Sequence, residues 1–285
     1  MKEESQEAKY LDIKKVFLEK NRKLGNLLPG FVFAYLRKII HEDELNSLMA
    51  REGSKMGPDF LKATIKDFNV KIEVRGFENL PENGRCVFVS NHPLGGFDGI
   101  VLLDILADRY GDAKFLANDI LMNIKNLEPM FIPINKHASS SKSNAKLIDD
   151  YFASTVPIGT FPAGMVSRRI NGVVTDLEWR KSFLAKAIQH KRDIVPIYFS
   201  GGNSNFFYNL SNFRKSIGIK ANIEMLFLAD ETYKHRNKTF VVTFGKPISY
   251  QFFDKRLSLL QWSQELKKFV YQLASHAQAV FSLSK

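Results

Sequence analysis

The chain has 285 residues, enough for one large domain or one domain with a helical extension. Its 45% hydrophobic and 25% charged content excludes a disordered chain, and a single Cys excludes an internal disulfide and any multi-cysteine metal site. With 41 Lys+Arg against 30 Asp+Glu the net charge is +11, which points to an anionic partner: membrane phosphates, nucleic acid or an acidic carrier protein.

The start, Met1-Lys-Glu-Glu-Ser-Gln-Glu, is polar and does not resemble a secretory signal. No apolar run reaches the roughly 18 residues that a membrane-spanning helix needs. The expectation is a cytoplasmic protein. The segment 1–60 reads as helical, with apolar positions at Tyr10, Leu11, Ile13, Val16, Phe17 and Leu24 among many Lys and Glu. Pro29-Gly30 marks a turn, and an apolar helix from Phe31 ends in Arg37-Lys38. That helix either docks on the core or lies on a membrane surface with its aromatics among headgroups. Further helices follow over 42–66, broken near Gly57-Pro58.

From about residue 70 short β-rich runs alternate with helical ones, and 61–285 reads as the second unit. The predicted strands are 70–75, 85–90, 114–117, 131–134, 157–161, 194–199 and 239–244. Helices are predicted over 100–107, 144–153, 179–190 and 256–277, and Ala138–Asn144 reads as a loop. Alternation of this kind predicts an α/β fold: a mixed, mostly parallel sheet with helices on both faces, preceded by the helical segment. Cys86, inside a strand run, reads as a small buried hydrophobe.

Dinucleotide, P-loop, nucleophile-elbow and zinc-protease motifs are missing, and the six histidines have no ligand spacing, so no metal site is expected. One constellation stands out: Val89-Ser-Asn-His-Pro-Leu-Gly-Gly-Phe-Asp-Gly99. A buried strand ends there, and strand ends in open α/β sheets are where ligands bind. Gly95 and Gly96 let the chain fold tightly enough for the Asp98 carboxylate to reach the His92 imidazole. A carboxylate on one ring nitrogen sets the tautomer, and the other nitrogen then takes a proton from a substrate hydroxyl.

At these residues the sequence resembles the lysophospholipid and glycerol-phosphate acyltransferases, in a haemolysin-like or aminolipid branch. Their first block, N-H-x4-D, is matched by Asn91-His92 to Asp98 with one extra residue in the glycine turn. A diverged second block lies at Glu128–Lys136, with Lys136 as its basic residue. The third, F-P-E-G-T-R-S, is matched at Phe161, Pro162, Gly164 and Ser167, while Ala163, Met165 and Val166 replace Glu, Thr and Arg. Ile194-Val-Pro-Ile197 and Val241–Ile248 resemble the remaining strands. The resemblance covers about residues 70–250.

It implies His92 as general base and Asp98 as its orienting partner, with backbone N–H groups around Gly164 for the oxyanion. No cofactor is implied, and acyl carrier protein or coenzyme A delivers the acyl chain as a thioester. In the family the third-block Glu and Arg help bind a glycerol-phosphate acceptor. Their loss weakens the case for a phosphate-bearing acceptor and leaves two acceptor classes open, a lysophospholipid and a lyso-aminolipid such as an N-acylated amino acid with a hydroxyl on its chain. Lys136, Phe161, Pro162, Gly164, Ser167, Arg168 and Arg169 are the candidates for acceptor contacts. Residues 168–220 hold ten Lys/Arg against three Asp/Glu, most of the net charge, and read either as a solvated face or as a surface for anionic lipid or an acidic carrier. The expected protein is a peripheral acyltransferase on the inner face of the cell membrane, with no nucleic acid as partner. The rivals are a catalytically silent lipid-binding protein of the same fold, a nucleic-acid binder and an acyl hydrolase.

Overall fold

The computed structural model describes residues 10–20, 27–117, 124–134 and 141–283. Helices α1 (Ile13–Lys20), α2 (Gly30–Ile40), α3 (Glu42–Glu52) and α4 (Gly57–Asp67) come first. There follow β1 (Lys71–Arg75), β2 (Cys86–Ser90), α5 (Phe97–Tyr110), β3 (Lys114–Ala117), β4 (Phe131–Pro133), α6 (Ser141–Ala153) and β5 (Ile158–Thr160). A hairpin of β6 (Arg168–Ile170) and β7 (Val173–Thr175) leads to α7 (Ser182–Gln189) and β8 (Asp193–Phe199). Last are α8 (Asn205–Ser216), α9 (Leu228–Tyr233), β9 (Thr239–Phe244) and α10 (Leu259–Gln272).

Seven strands form one sheet in the order β1-β9-β8-β2-β5-β3-β4. From β8 to β4 every neighbouring pair is parallel, while β9 is antiparallel to β8 and carries β1 beside it. This is the mixed, mostly parallel sheet that the sequence predicts. Central β2 is buried along its whole length, because helices cover both faces. Its Phe88 joins Leu61, Val101 and Leu102 in one core; Val87 and Val89 join Leu184, Trp262 and Leu266 in the other. Most of the phenylalanines are likewise core. Gly159 pairs in register with Phe115, and a Cβ there would stand 1.8 Å from the Phe115 ring, so only glycine lets β3 and β5 pair at this point. Pro196 lies where β8 passes between its bridge to Ile248 and its ladder with β9, so its missing N–H interrupts no bond.

The N-terminal helices are tied to this body. Phe60 and Leu61 of α4 lie in the core, so position 60/61 falls inside a packed helix. His41 Nε2 lies 3.1 Å from Asp230 Oδ1 and its ring stacks on Tyr233. Phe33 and Ile39 give α2 a docked face, whereas Phe31 and Tyr35 of the same helix, and Leu27 before it, are exposed.

Several boundaries differ from expectation. Ser141–Asn144, expected as loop, begin α6. α5 starts at Phe97, which puts Asp98 in its first turn. The β6–β7 hairpin, α8 and α9 fall where no element is predicted. Their sequences carry weak periodicity, and polar ties hold them instead. Buried Glu224 receives Arg168 at 3.0 Å and Arg214 at 2.5 Å, with Ser211 donating at 3.2 Å. Burial pushes the Glu224 pKa up, but the Arg214 and Arg168 guanidiniums outweigh it and hold it below the usual carboxylate value.

Arg192 is fully buried as well and donates to the carbonyls of Tyr151, Phe152, Ser154 and Val156 at 2.6–2.9 Å. It closes the C-terminal end of α6, where carbonyls lack partners and the helix field favours a cation. Burial pushes its pKa down to about 10. The basic stretch 168–220 is therefore in part internal framework. Arg192→Met should strand these carbonyls and lower unfolding free energy by at least about 3 kcal/mol, read from urea denaturation. Arg192→Lys should recover only part, since an ammonium cannot span all of them.

Candidate active site

The first site residues gather where parallel β2 and β8 end. Asn91 extends the β2–β8 pairing with its side chain: its amide donates to the Phe199 carbonyl at 2.9 Å and its oxygen accepts the Phe199 N–H at 2.8 Å. That pair fixes where the chain leaves the sheet. His92 then turns back, and its Nδ1 lies 2.9 Å from Asp98 Oδ2.

Asp98 is completely buried, and its charge is met by backbone N–H groups of the turn. Leu94 and Gly95 donate to Oδ2 at 2.9 and 3.4 Å, and Gly96 and Gly99 to Oδ1 at 3.0 and 2.9 Å. Its place in the first turn of α5 adds the helix field. Burial pushes the Asp98 pKa up, but the His92 imidazole and these N–H groups outweigh it and hold the carboxyl below its ordinary value. Within this turn Gly95 has φ +80, and its missing Cβ leaves room for Leu228.

An ionised Asp98 accepts a proton-bearing Nδ1, so the lone pair of neutral His92 is on Nε2. Nε2 has no hydrogen-bond partner among the described residues, and the side chain is 14% exposed. One ring face stacks on Phe161, with centroids 3.9 Å apart and planes 15° apart. The imidazole is thus held by an anion at one nitrogen and a ring on one face, with the other nitrogen open to a substrate.

The third block wraps around this histidine. Phe161 supplies the stacked ring, and Ser167 donates its N–H to the His92 carbonyl at 2.8 Å. Ser167 is buried, and its hydroxyl donates to Asp176 Oδ1 at 2.6 Å. Pro162 is buried and accepts the Arg180 N–H at 3.0 Å. The exposed turn at Gly164 has φ +65, and its N–H donates to the Phe161 carbonyl, so that group is not open to an oxyanion. Arg168 is buried against Glu224, and Arg169 bonds Asn205 and Asn209 on α8. Ser167 and Arg168 therefore belong to the framework, and neither faces an acceptor. Lys136 lies outside the described residues.

Asp176 is the residue that sequence reasoning passed over. It is fully buried, and its Oδ1 accepts the His92 N–H at 3.2 Å as well as the Ser167 hydroxyl. Its Oδ2 accepts the Trp179 indole N–H at 2.8 Å, and its own N–H donates to the Tyr271 hydroxyl at 2.8 Å. The carboxylate thus joins the first block, the third block and Trp179, and the backbone N–H of the same residue ties them to α10. Its only sequence signal is an acid standing before a Trp inside a basic run. Among the described residues no cluster of His, Cys, Asp and Glu has the makings of a metal site. Cys86 is buried, and burial pushes its pKa up to about 12, so it is no nucleophile.

Residues 15–279 match the acyltransferase family. A lyso-glycine lipid O-acyltransferase of Bacteroides thetaiotaomicron is 49% identical over 264 residues, covering 92% of this chain and 97% of that protein. A lyso-glycine lipid O-acyltransferase of Phocaeicola vulgatus is 50% identical over 264 residues, covering 92% and 95%. Among solved structures, the 1-acyl-sn-glycerophosphate acyltransferase of Thermotoga maritima aligns with a TM-score of 0.46 at 16% identity, over 90% of this chain and 95% of that one.

Asp98→Asn keeps the shape of the site but offers an amide to the N–H groups that now meet a carboxylate, and it releases the imidazole tautomer. The expected outcome is a fall in kcat of about 10³- to 10⁴-fold in any acyl-transfer assay, by the logic of a carboxylate–imidazole pair. Its folded pKa is below the unfolded value of about 3.9, so its stabilisation is present above that pH and is lost as pH falls through the folded pKa. The acid limb of the unfolding profile should accordingly be shallower in the variant.

Proposed function

Because the chain belongs to the acyltransferase family, we propose that it carries a fatty acyl group from a thioester to the hydroxyl of a lyso-lipid, with His92 as general base. The observation that carries this reading is the His92–Asp98 pair, 2.9 Å apart, with Nε2 left open at the end of a parallel strand. The acceptor is a lyso-aminolipid, an N-acylated amino acid whose acyl chain bears the reacting hydroxyl. Two things support it: both curated relatives are lyso-glycine lipid O-acyltransferases, and Val166, where glycerol-phosphate acyltransferases carry Arg, is buried and apolar.

His92 Nε2 takes the hydroxyl proton as the acceptor oxygen attacks the thioester carbon. Asp98 stabilises the imidazolium. The tetrahedral intermediate expels the thiolate, and the imidazolium returns its proton to sulfur, leaving an ester and a free thiol. No step requires a covalent enzyme intermediate. The donor is an acyl carrier protein or coenzyme A thioester. Purified protein should transfer a labelled acyl group from one of these thioesters to an N-(hydroxyacyl) amino acid, and His92→Ala should abolish transfer while leaving the circular dichroism spectrum unchanged. Transfer that survives His92→Ala would overturn the mechanism.

The reaction takes place on a membrane surface, at the inner face of the cell membrane. No described helix is long and apolar enough to cross a bilayer. Instead Leu27, Phe31 and Tyr35 are 78%, 75% and 52% exposed along one side of α2 and the turn before it. α2 packs on the 223–227 turn, where Leu226 is exposed too, and Leu228 next to it covers Gly95 of the histidine turn. The exposed apolar residues of α2 thus neighbour the segment that closes over the histidine turn, an arrangement that supports a lipid acceptor. Replacing Leu27, Phe31 and Tyr35 together by Ser should weaken flotation with anionic vesicles by at least tenfold, since each buried side chain contributes about 1.5 kcal/mol or more.

A further inference from the structure

Resting on the lyso-aminolipid reading, we infer that Arg180 is the acceptor's anchor and that its guanidinium binds the free carboxylate of the N-acyl amino acid. The glycerol-phosphate enzymes hold their acceptor through the third block, and this chain has lost the charge there. Val166 is packed inside against Phe207 and Tyr208, and the next residue but one, Arg168, is neutralised by Glu224. A cation nevertheless returns to the same turn from another part of the chain. The Arg180 guanidinium lies over Gly164: its carbon is 3.4 Å, and its two terminal nitrogens 3.6 Å, from where a Cβ on that glycine would be.

The base of the side chain is held firmly. Its N–H donates to the Pro162 carbonyl at 3.0 Å, and the preceding Trp179 is completely buried, with its N–H and carbonyl both tied to Gln264. Trp179 in turn donates to Asp176, which holds the His92 N–H. Arg180 is thus built on the framework that positions the catalytic base. Its head differs from the other arginines of the region. Arg168, Arg192 and Arg214 are buried with their donors engaged, and Arg169 is bonded to two asparagines. Arg180 is exposed, and among the described residues its guanidinium has no hydrogen-bond or ion-pair partner. One free planar fork matches one carboxylate, two N–H groups to two oxygens. The turn beneath it, Phe161–Ser167, is the one that touches His92 at both ends, through the stacked ring and through the Ser167 N–H. An acceptor held there by its carboxylate is anchored on the same turn that holds the imidazole.

The test measures kcat/KM for wild type, Arg180→Ala and Arg180→Lys with two acceptors of the same chain length, an N-(hydroxyacyl)glycine and its glycinamide counterpart, which lacks only the charge. Wild type should prefer the acid by about 10- to 100-fold. Arg180→Ala should lose that preference, with the loss on the acid at least about tenfold larger than on the amide and mainly in KM, and Arg180→Lys should keep a fraction of it. An Arg180→Ala that retains the preference, or that loses equally on both acceptors, overturns the assignment. Wild type that transfers to both acceptors equally well overturns it too while leaving the acyl-transfer reading standing. No transfer by wild type to either acceptor strikes the function reading itself, and Arg180 falls with it.

Discussion

A buried carboxylate must find its solvation inside the protein, and Asp98 imposes that demand on everything around it. Four backbone N–H groups and one imidazole nitrogen converge on its two oxygens. They can do so only if the chain between His92 and Gly99 closes into a tight loop, so the charge and the loop shape each other. The histidine orientation, the start of α5 and the left-handed Gly95 are consequences of that convergence. Other chain elements then close over it, with Leu228 against Gly95 and Phe161 against the imidazole.

The same device recurs twice in the layer of loops and short elements above the sheet. Asp176 gathers His92, Ser167 and Trp179, and Glu224 gathers Arg168, Arg214 and Ser211. Below this layer the two apolar cores flanking β2 supply the bulk of the burial. Above it, directional bonds to buried anions decide where each turn sits. The division has a physical sense: apolar packing stabilises without specifying angles, while a buried charge is stable only in one arrangement of donors. The layer that holds His92 has the second property. It also explains why so much positive charge lies in 168–220 without forming one solvated face.

Neighbouring residues of the region play separate parts. Ser167 and Arg168 hold the turn, Phe161 holds the imidazole, and Arg180, from the far side of the β6–β7 hairpin, presents the open cation. The exposed Leu226 sits in the 223–227 turn on which α2 packs, so the exposed apolar residues of α2 have an apolar neighbour there.

Much of this was legible in the amino-acid order, for a local reason. Strands such as Cys86–Ser90 and Asp193–Phe199 are short runs of β-branched and aromatic residues, and burial on both faces leaves that mark whatever the rest of the chain does. His92 and Asp98 are close in sequence, so a glycine turn is enough to bring them together. The sequence could not show which cations are inside. Arg168, Arg192 and Arg180 look alike in a charge count, and their fates depend on Glu224, on the end of α6 and on Gly164, tens of residues away or on another element. Asp176 was hidden likewise, since its partners come from the first block, the third block and α10. Local pattern determined the elements and the His92–Asp98 pair; long-range pairing of buried charges, which only the assembled fold creates, decided which arginines are locked into the framework and which one is left open.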